Sequence, residues 1–169
     1  NKSLNIKVNL LCAKSNYRLL IKQIDKFQPK YVFLFDEEKS QKLKSKIKKT
    51  KILDFRNLID YLSSSKSDLT ILAISGYKSL YFLDHIVNNT DNLGIVSKEA
   101  IVSAGHIFRK KKYFKKTKIF PIDSEHFSLF DYFNYNKFNN LNSITLTASG
   151  GPFYKRSFKN LKYVKFQHA

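Results

Sequence analysis

The sequence predicts an α/β fold, a parallel sheet covered by helices on both faces. Continuous apolar runs alternate along the chain with stretches whose apolar residues recur at helical spacing. The runs are not hydrophobic–polar alternations, so each strand is buried on both sides, as parallel strands are. Four of the runs are followed by small or polar residues: Cys12-Ala13-Lys14-Ser15, Ser75-Gly76, Ser97-Lys98-Glu99 and Asp123-Ser124-Glu125. In open parallel sheets ligands sit outside the carboxyl ends of strands, so several such ends suggest a shared crevice.

Each element has its own justification. Ile6 to Ala13 reads as a buried strand. Leu19, Leu20, Ile24 and Phe27 recur at helical spacing over Tyr17 to Phe27, and Pro29 ends that helix. Tyr31 to Phe35 is the second strand, closing on Asp36. Glu37 to Lys49 is a charged surface helix with Leu43 and Ile47 facing in, and Ile52-Leu53 a short strand. Asp54 is placed to cap a helix over Phe55, Leu58, Ile59 and Leu62. After the polar stretch Ser63 to Ser67 comes a strand over Leu69 to Ile74, then a helix through Leu80, Leu83 and Ile86 or Val87. Leu93 to Val96 is a short strand, and Ser97 caps a helix through Ile101, Ala104, Gly105 and Phe108. A strand over Lys118 to Ile122, a helix over Phe127 to Phe133 and a strand over Ser143 to Leu146 complete the reading.

At 169 residues the chain can bury a full core and hold one domain with part of another. It contains no Met, so the expectation is an internal piece of a longer protein. The net charge of +18 invites a nucleic-acid partner. Lys, Asn, Ile, Phe and Tyr are abundant together, however, which points to AT-rich coding that raises Lys everywhere. The basic clusters at Lys44 to Lys51 and Arg109 to Lys118 read as solvated surface. The single Cys12 excludes an internal disulfide and a zinc-ribbon cluster. No apolar run approaches the roughly 20 residues of a membrane span.

Phe120-Pro121-Ile122-Asp123-Ser124-Glu125-His126 carries the strongest chemical signal. If the segment stays extended past the strand, Asp123 and Glu125 fall on one side, because strand side chains alternate. Two carboxylates aimed at one point call for a hard divalent cation such as Mg²⁺ or Mn²⁺. The alternative is a helix start, with Asp123 or Ser124 as cap and Glu125 facing the helix dipole. At the first strand end no acid is present to favour NAD, and Lys14 and Ser15 suit a 2′-phosphate and hence NADP. Ser97 and Glu99 read either as a cap with a first-turn acid or as ribose contacts, with Lys98 placing charge against a polar substrate. In Ser149-Gly150-Gly151-Pro152 the glycines allow close backbone approach and Ser149 could help cradle a phosphate, or the segment is a tight turn.

Three blocks occur in order: Ser97-Lys98-Glu99-Ala100-Ile101-Val102-Ser103-Ala104-Gly105, Pro121-Ile122-Asp123-Ser124-Glu125-His126 and Leu146-Thr147-Ala148-Ser149-Gly150-Gly151-Pro152-Phe153. Together they closely resemble the 1-deoxy-D-xylulose 5-phosphate reductoisomerase family, with weaker similarity through Lys30-Tyr31-Val32 and the strand in the 70s. The resemblance covers essentially the whole chain. It implies an enzyme of non-mevalonate isoprenoid biosynthesis that uses NADPH and Mn²⁺ or Mg²⁺. Such an enzyme rearranges 1-deoxy-D-xylulose 5-phosphate and reduces the product to 2-C-methyl-D-erythritol 4-phosphate. By the resemblance Asp123 and Glu125 are metal ligands, and with Lys98 they form the catalytic set. Lys98, Ser124, Glu125 and Ser149 are substrate contacts, and Ala13, Lys14, Ser15, Ser97 and Glu99 are cofactor contacts.

The implied fold is a Rossmann-type parallel sheet over residues 1–120 whose first strand is missing, followed from 121–169 by the start of an α+β catalytic domain. The implied partners are a phosphosugar substrate and, at full length, a second copy in a homodimer, with no nucleic acid and no membrane. The implied setting is the bacterial cytoplasm or a plastid-type organelle. This piece alone is expected to be inactive, with the glycine turn for the pyrophosphate before Asn1 and a third metal ligand after Ala169. The family usually has Asn at the place of Ser97, Gly at that of Ala13 and Asn at that of Ser15. A basic, non-catalytic α/β module that binds nucleic acid is the rival reading.

Overall fold

A computed structural model of the chain describes residues 6–108, 116–135, 141–145 and 150–168. The chain divides into two compact units, Asn1–Asp123 and Ser124–Ala169.

The first unit is built on parallel strands. β1 (Leu10–Ala13), β2 (Tyr31–Leu34) and β3 (Lys51–Ile52) pair in that order, and β4 (Ser67–Leu72), β5 (Thr90–Ile95) and β6 (Lys118–Pro121) form a second three-stranded sheet. The helices between them are α1 (Tyr17–Phe27), α2 (Glu37–Lys44), α3 (Phe55–Ser64), α4 (Leu80–Ile86) and α5 (Lys98–Phe108). Every strand pairing among the described residues is parallel, and each places a helix between its strands, as a parallel connection requires.

The two faces of β2 show why its apolar run is unbroken. Phe33 enters a core with Leu53, Leu58, Leu72, Phe82, Leu83, Ile86, Leu93 and Ile95, which joins residues of both sheets. Val32 and Leu34 enter the opposite core with Leu20, Ile24 and Leu43 of α1 and α2. Strand alternation sends successive side chains into different layers, and both layers are apolar. β1 and β4 have a ladder partner on one side each among the described residues. Leu69 and Ile71, which share one face of β4, are about half exposed, at 51% and 48%.

Helix starts follow their caps. Asn16 Oδ1 accepts from Leu19 N at 3.1 Å, Asp36 Oδ1 from Lys39 N at 3.0 Å and Asp54 Oδ1 from Asn57 N at 2.8 Å. Some boundaries differ from the sequence reading. β1 begins at Leu10, not Ile6: the ladder to β2 opens with Tyr31 N donating to Asn9 O at 2.9 Å and first pairs Leu10 with Tyr31. α2 stops at Lys44, five residues short of Lys49. There Lys46 N turns back to Leu43 O and Ser45 Oγ donates to Lys42 O. β5 starts three residues early, at Thr90, because its polar first half pairs with β4 from Ser67 onward.

The second unit contains α6 (Ser124–Tyr135) and the short α7 (Phe158–Leu161). α6 begins at Ser124, where the sequence reading began its helix at Phe127. The strand expected over Ser143 to Leu146 does not form at residues 143–145, and Leu146 lies outside the described residues. Residues 143–145 are exposed, so no packed face holds them extended against a neighbour.

Candidate functional site

The carboxyl ends of β1 and β2 are tied together beyond their ladder. Phe35 N donates to Ala13 O at 3.1 Å and Asp36 N to Lys14 O at 3.0 Å. This holds Ala13-Lys14-Ser15 in a fixed backbone path between β1 and the Asn16 cap of α1. Ala13 and Ser15 are half-buried, and the Lys14 side chain is exposed. An exposed ammonium at a strand end can meet a phosphate without burying its charge.

At the ends of β4 and β5 the polar groups converge. Gly76 turns the chain at φ 73°, a conformation glycine adopts without steric cost, and a Cβ there would meet nothing within 4 Å. Its carbonyl accepts from Ser79 Oγ at 2.9 Å and lies 3.1 Å from Ser97 Oγ. Ser97 Oγ is also 2.9 Å from Glu99 Oε2 and 3.4 Å from Ala100 N. Ser97 is therefore a helix cap whose hydroxyl also reaches across to the β4 turn, and it is buried at 4% exposure. Glu99 is exposed, and its carboxyl is held below the usual range. The cause is first its own backbone N–H and then the Ser97 hydroxyl. The structure thus brings Ser97 and Glu99 into contact, while Ala13, Lys14 and Ser15 stand at the end of the other sheet.

Lys98 opens α5 and is exposed. Asp123 follows β6, half-buried, with Oδ2 shielded from solvent. Glu125 lies in the first turn of α6 and accepts from Ser124 Oγ at 2.8 Å, while Ser128 Oγ donates to Ser124 O at 2.8 Å. The extended path that would alternate Asp123 and Glu125 onto one strand face is therefore replaced by a helix start. Backbone hydrogen bonding of α6 takes over at Ser124, and Glu125 gains a first-turn position that suits a negative charge.

Two carboxylates are oxygen donors of the kind Mg²⁺ and Mn²⁺ take, so their chemistry fits such an ion. No group of three or more His, Cys, Asp or Glu able to hold a metal occurs among the described residues. Ser149 lies outside the described residues.

Sequence reasoning missed two features at strand ends. One is Ser79, fully buried on the Gly76 carbonyl; its position three residues after a turn glycine was the available signal. The other is a cavity of about 490 Å³ at the ends of β2 and β3, whose lining includes Phe35, Glu37, Lys44, Asp54 and Phe55. Asp54 was legible there only as a cap.

The family described as 1-deoxy-D-xylulose 5-phosphate reductoisomerase matches residues 1–105, and the C-terminal domain of the same enzyme matches residues 119–169. This chain belongs to the 1-deoxy-D-xylulose 5-phosphate reductoisomerase family. A reductoisomerase of that name from Pelagibacter ubique is 34% identical over 171 residues, spanning 98% of this chain and 44% of that protein. The one from Buchnera aphidicola is 35% identical over 173 residues, spanning 94% and 44%. The chain thus spans less than half the length of these reductoisomerases. Among solved structures, the Zymomonas mobilis reductoisomerase in complex with NADPH superposes with a TM-score of 0.68 at 25% identity, covering 96% of this chain and 45% of that one. A second reductoisomerase, solved with NADPH, fosmidomycin and magnesium, shares the fold at a TM-score of 0.65 and 24% identity, covering 99% and 45%. No helix among the described residues is long and apolar enough to cross a membrane.

Proposed function

We propose that the full-length protein is a 1-deoxy-D-xylulose 5-phosphate reductoisomerase, converting its phosphosugar substrate to 2-C-methyl-D-erythritol 4-phosphate with NADPH and Mn²⁺ or Mg²⁺. The observation that carries this reading is the pair of family matches, which run in order over both parts of the chain. Residues 1–120 serve cofactor binding and 121–169 begin the catalytic domain. The active form is a homodimer, in the cytoplasm of a bacterium or in a plastid-type organelle.

Each residue has a role its chemistry supports. Lys14 and Ser15 receive the cofactor's 2′-phosphate beside Ala13. Glu99, ionised throughout the neutral range, accepts hydrogen bonds from ribose hydroxyls, and Ser97 orients it from 2.9 Å. Lys98 sets a positive charge against the polar substrate. Ser124 and Ser149 hydrogen-bond the substrate, Ser149 at its phosphate end. Asp123 and Glu125 hold the divalent ion, with Glu125 also touching substrate. When bound, the ion supplies Lewis-acid polarisation of the substrate's oxygens and NADPH supplies the hydride.

The test is NADPH oxidation by the full-length protein with 1-deoxy-D-xylulose 5-phosphate. Oxidation that needs both the phosphosugar and Mn²⁺ or Mg²⁺ is the expected result. Absence of turnover with all three present overturns the reading, and affinity for nucleic acid that falls steeply with salt would favour the non-catalytic alternative.

A further inference from the structure

The hydrogen bonds around Gly76 pose a question of proton supply. Two serine hydroxyls, each with one proton to give, face two acceptors. Ser79 Oγ is 2.9 Å from Gly76 O, and Ser97 Oγ is 3.1 Å from the same carbonyl and 2.9 Å from Glu99 Oε2. A single hydroxyl proton cannot satisfy both neighbours of Ser97. One assignment satisfies every acceptor: Ser79 donates to the carbonyl and Ser97 to the carboxylate. If the Ser79 hydroxyl gave nothing, the half-buried Gly76 carbonyl would keep only the long contact from Ser79 N at 3.4 Å and an open lone pair, with the Ser97 hydroxyl 3.1 Å away as its nearest strong donor. Both serines are shielded from water, Ser79 at 0% and Ser97 at 4% exposure, so their hydroxyl protons go to protein acceptors.

We propose that Ser79 is a positioning residue for the cofactor site. By occupying the Gly76 carbonyl it leaves the Ser97 proton to the Glu99 carboxylate, and so fixes the orientation in which Glu99 meets a ribose hydroxyl. The inference rests on the reading of Glu99 as a cofactor contact. It adds a residue that touches no ligand, and it gives the left-handed turn at Gly76 a task beyond reversing the chain. Without the Ser79 hydroxyl, Ser97 is drawn to the carbonyl, and Glu99 loses its side-chain hydrogen bond while keeping that of its own backbone N–H.

The experiment measures NADPH affinity of the full-length protein by fluorescence titration, with steady-state kinetics and carbon NMR of the Glu99 carboxyl beside it. Ser79→Ala is expected to weaken NADPH binding by about five- to tenfold, the worth of one modest hydrogen bond. It should raise the KM for NADPH more than it lowers kcat, and move the Glu99 titration upward. Combining Ser79→Ala with Glu99→Gln should weaken binding no further than Glu99→Gln alone, because the effect passes through Glu99. Affinity within twofold of wild type in Ser79→Ala, with Glu99→Gln impaired, overturns the inference and spares the cofactor reading. Full affinity in Glu99→Gln overturns both. If Ser79→Ala fails to fold, Ser97 decides: Ser97→Thr, which keeps the hydroxyl, should bind NADPH better than Ser97→Ala, and equal binding by the two overturns the proposal.

Discussion

Gly94 makes a sharp test of how β5 is packed. It sits mid-strand, paired with Ile71 of β4 on one side and Phe120 of β6 on the other. A Cβ built there would fall 2.3 Å from Ile122 Cδ1, 3.0 Å from Ile71 Cδ1 and 3.1 Å from Ile122 Cγ1. Contact at the shortest of these distances is not tolerated, so Gly94→Ala must displace Ile122. Overpacking of this kind costs about 1–3 kcal/mol. Exchanging a strand glycine for alanine returns about 0.5–1 kcal/mol of backbone entropy. The obstacle is the tip of a flexible side chain, and Ile122 is 38% exposed, so it can swing outward. A net loss of about 1–2 kcal/mol follows. Ile122 directly precedes Asp123, so the same displacement should weaken Mn²⁺ binding. Urea denaturation of the full-length protein measures the first effect and Mn²⁺ titration the second. Ile122→Val removes the Cδ1 atom, and in the Gly94→Ala background it should recover most of the lost stability. Unchanged stability in Gly94→Ala, or equal stability losses with and without Ile122→Val, would refute the packing described here.

Three further outcomes are expected. Asp123→Asn in the full-length protein should lower Mn²⁺ affinity and turnover more than NADPH affinity; separate titrations check this, and equal loss of both would indicate a folding defect. Asn16→Ala removes the side-chain acceptor of Leu19 N and should cost about 1 kcal/mol, read from the shift of the urea midpoint. Asp36 and Asp54 have carboxyls held below the usual range, Asp36 chiefly by the Lys39 side chain and Asp54 chiefly by the Asn57 backbone N–H. Because their folded values are depressed, their contribution is complete above the unfolded value of about 4 and is lost as pH falls through the lower folded values. Urea midpoints measured down that range should decline, and Asp54→Asn, which keeps a capping oxygen without the titration, should reduce the decline.

Local signals decided much of this protein before any tertiary contact. Tyr17–Phe27 was legible to the residue, because apolar spacing sets the helix and Pro29 stops it; the Asn16 cap emerged only in the fold. The unbroken apolar run of β2 announced burial on both faces, which Val32 and Phe33 confirm by entering different cores, whereas Leu69 and Ile71 leave one face of β4 half exposed. The family was legible from three short blocks, whose residue types and order are rare by chance. What local reading could not decide were outcomes set by competition between neighbours. Asp123-Ser124-Glu125 has the residues of both an extended metal-binding pair and a helix start, and α6 hydrogen bonding resolved its backbone in favour of the helix. Ser79 looks like any loop serine until the turn at Gly76 carries a carbonyl from the end of β4 onto its hydroxyl, with Ser97 arriving from β5. Periodicity reports which face of an element is buried. Which single proton meets which single acceptor depends on distances between segments about twenty residues apart, and only the folded chain sets those.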